Sequence, residues 1–312
     1  MKYTIASNVE SPVNILIPDI MASPFRIAPE RQNELRSLIE QRNITVEIKS
    51  NEVTFLLESN SVDSKIYLSL PTLERLWAYS FSYLHIMTLF LATGPGQYLE
   101  FGKHYGPIVE DMKRLLLWAL DEERLRKRDY AWPKHLPNPA SKSYYPQIIE
   151  KTNEMYLGMM GWILLHEIAH INLNHVLHKF TDLPTRLNYE KAADKWATDW
   201  VFEKLPVCAQ PDNVRVWRTI VVSLALSTIA AVEYHTIEEQ SSDHPNPADR
   251  LLAFLTNYVG ETGDAQMPLH EISWIIPMVV IQTHFANRNV PETLKGPYAG
   301  ISDYLIEARK VF

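Results

Sequence analysis

The chain has 312 residues, 46% hydrophobic and 21% charged, the proportions of an ordinary globular protein large enough to bury a sizeable core. Its 37 acidic against 30 basic residues give a formal charge of −7, which argues against a nucleic-acid or anionic-membrane binder. Cys208 is the only cysteine, so an intrachain disulfide and a cysteine-based metal site are both excluded, which suits a reducing compartment.

Residues 1–20 lack a basic region followed by an unbroken apolar stretch, so a secretory signal is not expected and a cytoplasmic location is. Residues 1–30 are punctuated by prolines, and only "NILI" (14–17) predicts a short strand. "RQNELRSLIEQR" (31–42) carries the pattern of a short amphipathic helix. Three pieces with period-two alternation follow: "TVEIK" (45–49), "VTFLL" (53–57) and "KIYLSL" (65–70). Turn-forming "SNE" and "SNSVDS" separate them, so an antiparallel meander is expected.

From Pro71 the pattern becomes helical and runs to Gly94-Pro95-Gly96. A second helix is predicted over 107–129, ending in the basic "RLRKR" beside the acidic "DEE", a solvated face. Residues 131–147 form a proline-rich loop. A central helix is predicted over 147–178, and further helices near 188–205, 213–235, 246–258, 271–287 and 301–310. The apolar runs at 81–94, 219–232 and 272–281 fall short of the roughly 18–20 residues of a membrane span and read as buried helices. The fold class is α+β and predominantly helical, with a small antiparallel sheet near the N-terminus. The organisation is a 1–42 extension, a 43–180 unit of sheet and backing helices, and a helical half over 181–312, together one compact unit.

The central helix contains "GWILLHEIAHINLNH" (161–175), where charged groups interrupt a buried pattern. At about 100° per residue, His166 and His170 lie some 40° apart on one face, one turn along. Two neutral imidazoles so placed can converge on one tetrahedral metal. Glu167 lies about 100° round from His166, too far to join them but close enough to reach a water on that metal. The alternative is a pair of hydrogen-bonded core histidines beside an ion-paired glutamate.

Glu190, in "YEKAADKWATDWV", supplies a third ligand if the next helix folds back. Asp194, four residues on, shares its face and can accept a hydrogen bond from a ligating imidazole. Ala192, Ala193 and Ala197 allow the two helices to pack closely. His175 and His178 compete for the ligand role. His175, however, falls on the opposite side of a continuous helix and reads as a supporting or core histidine. The metzincin spacing would need a histidine at position 176 and a glycine at 173; Val176 and Leu173 exclude it.

The two histidines, Glu167 and the later Glu190 resemble the gluzincin metallopeptidases. "HEIAHINLNH" together with His244-Pro245 and Arg250 in "SSDHPNPADRL" is similar to the motifs of the CAAX prenyl protease and membrane heat-shock protease family. Size, absence of spans and the "EKAADKWATDWV" and "HPNPADRLLAF" segments look more like the soluble phage-exclusion Lit-type peptidases of bacteria. The resemblance implies a zincin-like fold, one zinc ion on His166, His170 and Glu190, and Glu167 as general base. It also implies His244 at the substrate or oxyanion and Arg250 bracing the site, although Arg250 reads equally as a structural ion pair.

Tyr234 and His235, in "AAVEYHT", are further candidates for the oxyanion donor. In zincins the edge of the small sheet can pair with an extended substrate; the alternative is a meander that packs only on helix 71–93. The Lit-type resemblance implies a protein substrate, elongation factor Tu, and a phage component as activating partner. An ImmA-type repressor-cleaving peptidase and a non-catalytic protein with structural zinc are the alternatives. The first usually accompanies a helix-turn-helix module, which the sequence lacks. The second has no use for Glu167.

Overall fold

The computed structural model describes residues 1–5, 10–49, 57–93, 107–120, 131–141, 146–175, 182–207, 211–236 and 245–259. The expected helices at 271–287 and 301–310 lie outside them.

The N-terminal region is more helical than its prolines suggest. Ser11 caps a 3-10 turn, Pro12–Leu16, by accepting a hydrogen bond from the Val13 amide. Helix α1 (Ile17–Ile27) follows at once. No strand forms at "NILI". Pro12 and Pro18 fall in first-turn positions, where a missing amide costs nothing. The buried Ile17, Ile20, Met21, Pro24 and Ile27 then continue a helical period. Helix α2 (Gln32–Arg42) ends on Asn43, whose φ of 51° turns the chain into the sheet.

The sheet has four strands: β1 (Lys2–Ile5), β2 (Thr45–Lys49), β3 (Leu57–Asn60) and β4 (Lys65–Ser69). Their order is β1-β2-β4-β3. The expected meander is corrected to a mixed sheet. β1 pairs parallel with β2, and β2 parallel with β4; only β3 and β4 form an antiparallel pair. Period-two alternation fixes which face is buried, and Val46, Ile48, Ile66 and Leu68 are indeed buried. It carries no information about which neighbour a strand takes or in which direction. Val53 and Phe55 of the expected second strand lie outside the described residues.

Helix α3 (Leu70–Thr93) leaves β4 directly; Ser69 Oγ accepts from the Thr72 amide, and Pro71 occupies the first turn. Helix α4 (Pro107–Leu120) packs beside it. The proline-rich loop lies over α3, with Trp132 stacked edgewise between Trp77 and Trp118.

Helix α5 (Pro146–Asn172) is the axis of the molecule. It touches α1, α3 and both helices that follow it, α6 (Leu183–Phe202) and α7 (Pro211–Thr236). Every residue from Gly158 to Ile171 is buried, so the helix is enclosed on all sides. Two glycines permit this. A Cβ on Gly161 would lie 2.9 Å from the Ser23 carbonyl oxygen of α1, and one on Gly158 would lie 2.6 Å from Val221 of α7. Helix α8 (Pro247–Phe254) then packs on α7, and the wider π-type turn Leu255–Val259 packs on α8, with the Tyr258 carbonyl accepting from Arg215 of α7. No described helix is long and apolar enough to cross a membrane.

Gly161→Ala is expected to lower the unfolding midpoint, because overpacking against backbone costs about 1–3 kcal/mol and outweighs the gain of about 1 kcal/mol in helix propensity. Chemical denaturation measures it; an unchanged or raised midpoint would show that α1 moves aside freely.

Candidate metal centre

Three buried side chains meet where α5 and α6 cross. His166 and His170 come from successive turns of α5 and Glu190 from α6, each with 5% or less of its surface exposed. The two Nε2 atoms are 3.1 Å apart. One Glu190 oxygen lies 3.3 Å from His166 Nε2, and the other lies 3.3 Å from His170 Nε2. A tetrahedral zinc with bonds of about 2.0–2.1 Å places its donor atoms about 3.3–3.4 Å apart. The three donors therefore stand close to the spacing such a cation requires, and they form the one group among the described residues with that geometry.

The convergence depends on where α6 begins. Asp182 caps it, accepting from the Thr185 amide at 2.9 Å, and Pro184 sits in the first turn. The helix thus starts five residues before the expected 188, in the "DLP" stretch that reads as a turn. Ala193 and Ala197 are fully buried against the core and let α6 lie close to α5. A second link lies beneath the cluster: Trp162 Nε1 donates to Thr198 Oγ1 at 3.1 Å, and Thr198 Oγ1 donates to the Asp194 carbonyl at 2.7 Å. The sequence carries a signal for it, since Trp162 precedes His166 by one turn and Thr198 follows Asp194 by one turn.

Behind this cluster, His166 Nδ1 lies 3.0 Å from Asp194 Oδ1. Asp194 in turn accepts a forked pair from Arg250, Nε at 2.8 Å and Nη2 at 2.7 Å. Arg250 is thus the ion-pair partner of the carboxylate that faces His166. Burial would raise the Asp194 pKa, but Arg250 and His166 outweigh it and hold the carboxyl below its usual range. A cavity of about 450 Å³ reaches the Asp194–Arg250 pair but is lined by none of His166, His170 and Glu190.

The histidines diverge electrically. Burial pulls His166 down, yet its contacts with Asp194 and Glu190 prevail and raise its pKa to about 10. Burial and the neighbouring His166 charge push His170 to about 3. Two carboxylates facing one ring thus hold a proton where a cation would sit.

Glu167 is 4% exposed, on the helix face next to His166. His175 is not carried to the far side of α5, because the helix stops at Asn172. Asn174 adopts φ 54°, and the bonds His175 N to His170 O and Asn174 N to Ile171 O close a Schellman turn. This shortens the helix expected to reach 178. Asn174 is the residue type that tolerates the left-handed conformation the turn requires. His178 and His244 lie outside the described residues. Tyr234 and His235 fall in the last turn of α7, with side chains outside the description.

The model of the Peptidase U49 family matches residues 66–271 of the chain. A relative from Escherichia coli (strain K12), named "Cell death peptidase", is 25% identical over 294 residues, which span 92% of this chain and 93% of the relative. No solved structure matches.

A cation on these ligands must displace the proton that His166 holds up to about pH 10. His170, at about 3, has none to lose near neutrality. Apparent zinc affinity should therefore rise about tenfold per pH unit between pH 7 and 9, with about one proton released per ion. Calorimetry in buffers of different ionisation enthalpy counts that proton, and a pH-independent affinity would contradict the assignment.

Proposed function

The chain belongs to the peptidase U49 family, and on that premise we propose that it is a zinc-dependent endopeptidase with His166, His170 and Glu190 as ligands. The observation that carries this reading is the donor set itself: two imidazole nitrogens and a carboxylate within about 3.3 Å of one another, buried at a helix crossing. Zinc held there supplies a Lewis acid that acidifies water and polarises a peptide carbonyl.

The remaining work falls to the chain. Glu167, next to His166 in sequence, accepts the proton of the attacking water and passes it to the leaving amine. Its burial keeps competing solvent away from that transfer. Asp194 fixes the His166 tautomer, and Arg250 keeps Asp194 ionised and aimed. His244 is the proposed oxyanion donor, with Tyr234 and His235 as alternatives.

β1 and β3 are the outer strands of the sheet among the described residues, and β3 packs against α5. Its free edge suits an extended substrate, whose backbone would pair with it as a fifth strand. A closed structural zinc site normally uses four protein ligands, whereas the described residues supply three and add a buried glutamate beside them.

The relative's name, its shared length and the Lit-type resemblance support a finer reading. In it the substrate is a cytoplasmic host protein whose cleavage halts the cell during phage infection, with elongation factor Tu the first candidate and a phage component the trigger.

Glu167→Gln should retain zinc and lose activity by on the order of 10²–10⁴-fold. Comparing new protein N-termini in cells expressing wild type and the variant identifies the substrate. Identical cleavage in both would remove Glu167 from the mechanism.

A further inference from the structure

A ligating imidazole binds its metal through one nitrogen and leaves the other turned away, and the partner of that second nitrogen sets ring orientation and tautomer. His166 uses Asp194 in this way. On His170 the turned-away atom is Nδ1, and 3.2 Å from it lies Nδ1 of His175. Resting on the zinc reading above, we propose that His175 is the positioning residue of His170, a neutral counterpart to the carboxylate behind His166.

Proton placement follows from the roles of the two rings. His170 offers Nε2 to the cation, so its proton must sit on Nδ1. It therefore donates to His175, which accepts through Nδ1 and carries its own proton on Nε2. The two rings meet nearly edge to face, 77° between planes, as a hydrogen bond in the plane of each ring allows.

His175 is held from several directions, as a positioning group must be. The Schellman turn pins its amide to the His170 carbonyl at 2.9 Å. Its ring stacks on Tyr189 of α6, with centroids 4.3 Å apart and planes 9° from parallel. Its carbonyl accepts from Ser61 Oγ, in the turn after β3, at 2.8 Å. Arg42 clamps the same turn through the Asn172 carbonyl and the Asn174 side chain. Tyr189 directly precedes the ligand Glu190. The stack therefore joins one metal ligand's support to another, and Ser61 joins both to the strand proposed to receive substrate.

Cobalt(II), whose visible absorption reports ligand geometry, tests the assignment on the full-length chain without a substrate. His175→Phe keeps an aromatic ring on Tyr189 and removes the acceptor, while His175→Asn supplies an acceptor oxygen and removes the ring. The proposal expects His175→Phe to weaken cobalt binding by about 10–100-fold with an altered spectrum, and His175→Asn to recover most of the loss. His175→Phe binding within about twofold of wild type with an unchanged spectrum, or His175→Asn no better than His175→Phe, would overturn it. Should His175→Phe fail to fold, His175→Asn against His175→Ala makes the same comparison. Wild type that takes up no cobalt would overturn the zinc reading itself, and this assignment with it.

Discussion

Burial of charge is the constraint on which this structure turns. Fourteen consecutive residues of α5 are enclosed, and two histidines and a glutamate lie among them. Ionisable groups withdrawn from water cost several kcal/mol apiece unless something answers them. For the two histidines the answer comes from outside the helix: Glu190 faces both imidazoles, Asp194 backs one of them, and Arg250 neutralises Asp194. The carboxylates of Asp194 and Glu190 in turn raise the His166 pKa well above the usual histidine range.

The rest of the architecture serves that crossing. Gly158 and Gly161 bring α7 and α1 against α5, so the turns bearing His166 and His170 are enclosed rather than on a surface. Ala193 and Ala197 do the same for α6, and the Trp162–Thr198 bond stitches α5 to α6 beneath the cluster. Such support matters because a donor displaced by 1 Å no longer meets a zinc radius, and loops rarely hold groups that well. The small sheet packs one of its outer strands, β3, against the same helix.

Much of this is legible in the sequence. Helical spacing alone puts His166 and His170 on one face, and Glu190 with Asp194 on another, because side-chain direction along a helix is set by geometry. The paired faces of β2 and β4 follow from alternation in the same way. Strand order does not, since "TVEIK" reads the same whether its neighbour runs parallel or antiparallel. Helix ends are harder still. Asp182 and Asn174 move two boundaries, and the second carries His175 from the far side of α5 to the back of His170. Around "NILI", prolines that look like breakers are helix starters, a distinction that rests on the Ser11 cap just before them. Membership of the peptidase U49 family agrees with the motif reading.

The central claim, that these helices exist to hold one divalent cation, is tested most directly by zinc-edge X-ray absorption on the purified protein. The account predicts one zinc per chain, with a first shell of nitrogen and oxygen at about 2.0–2.1 Å and the outer-shell scattering of two imidazoles, lost in a His166→Ala, His170→Ala double variant. Substoichiometric zinc, a sulfur shell at about 2.3 Å from Cys208, or a spectrum indifferent to the double substitution would contradict it.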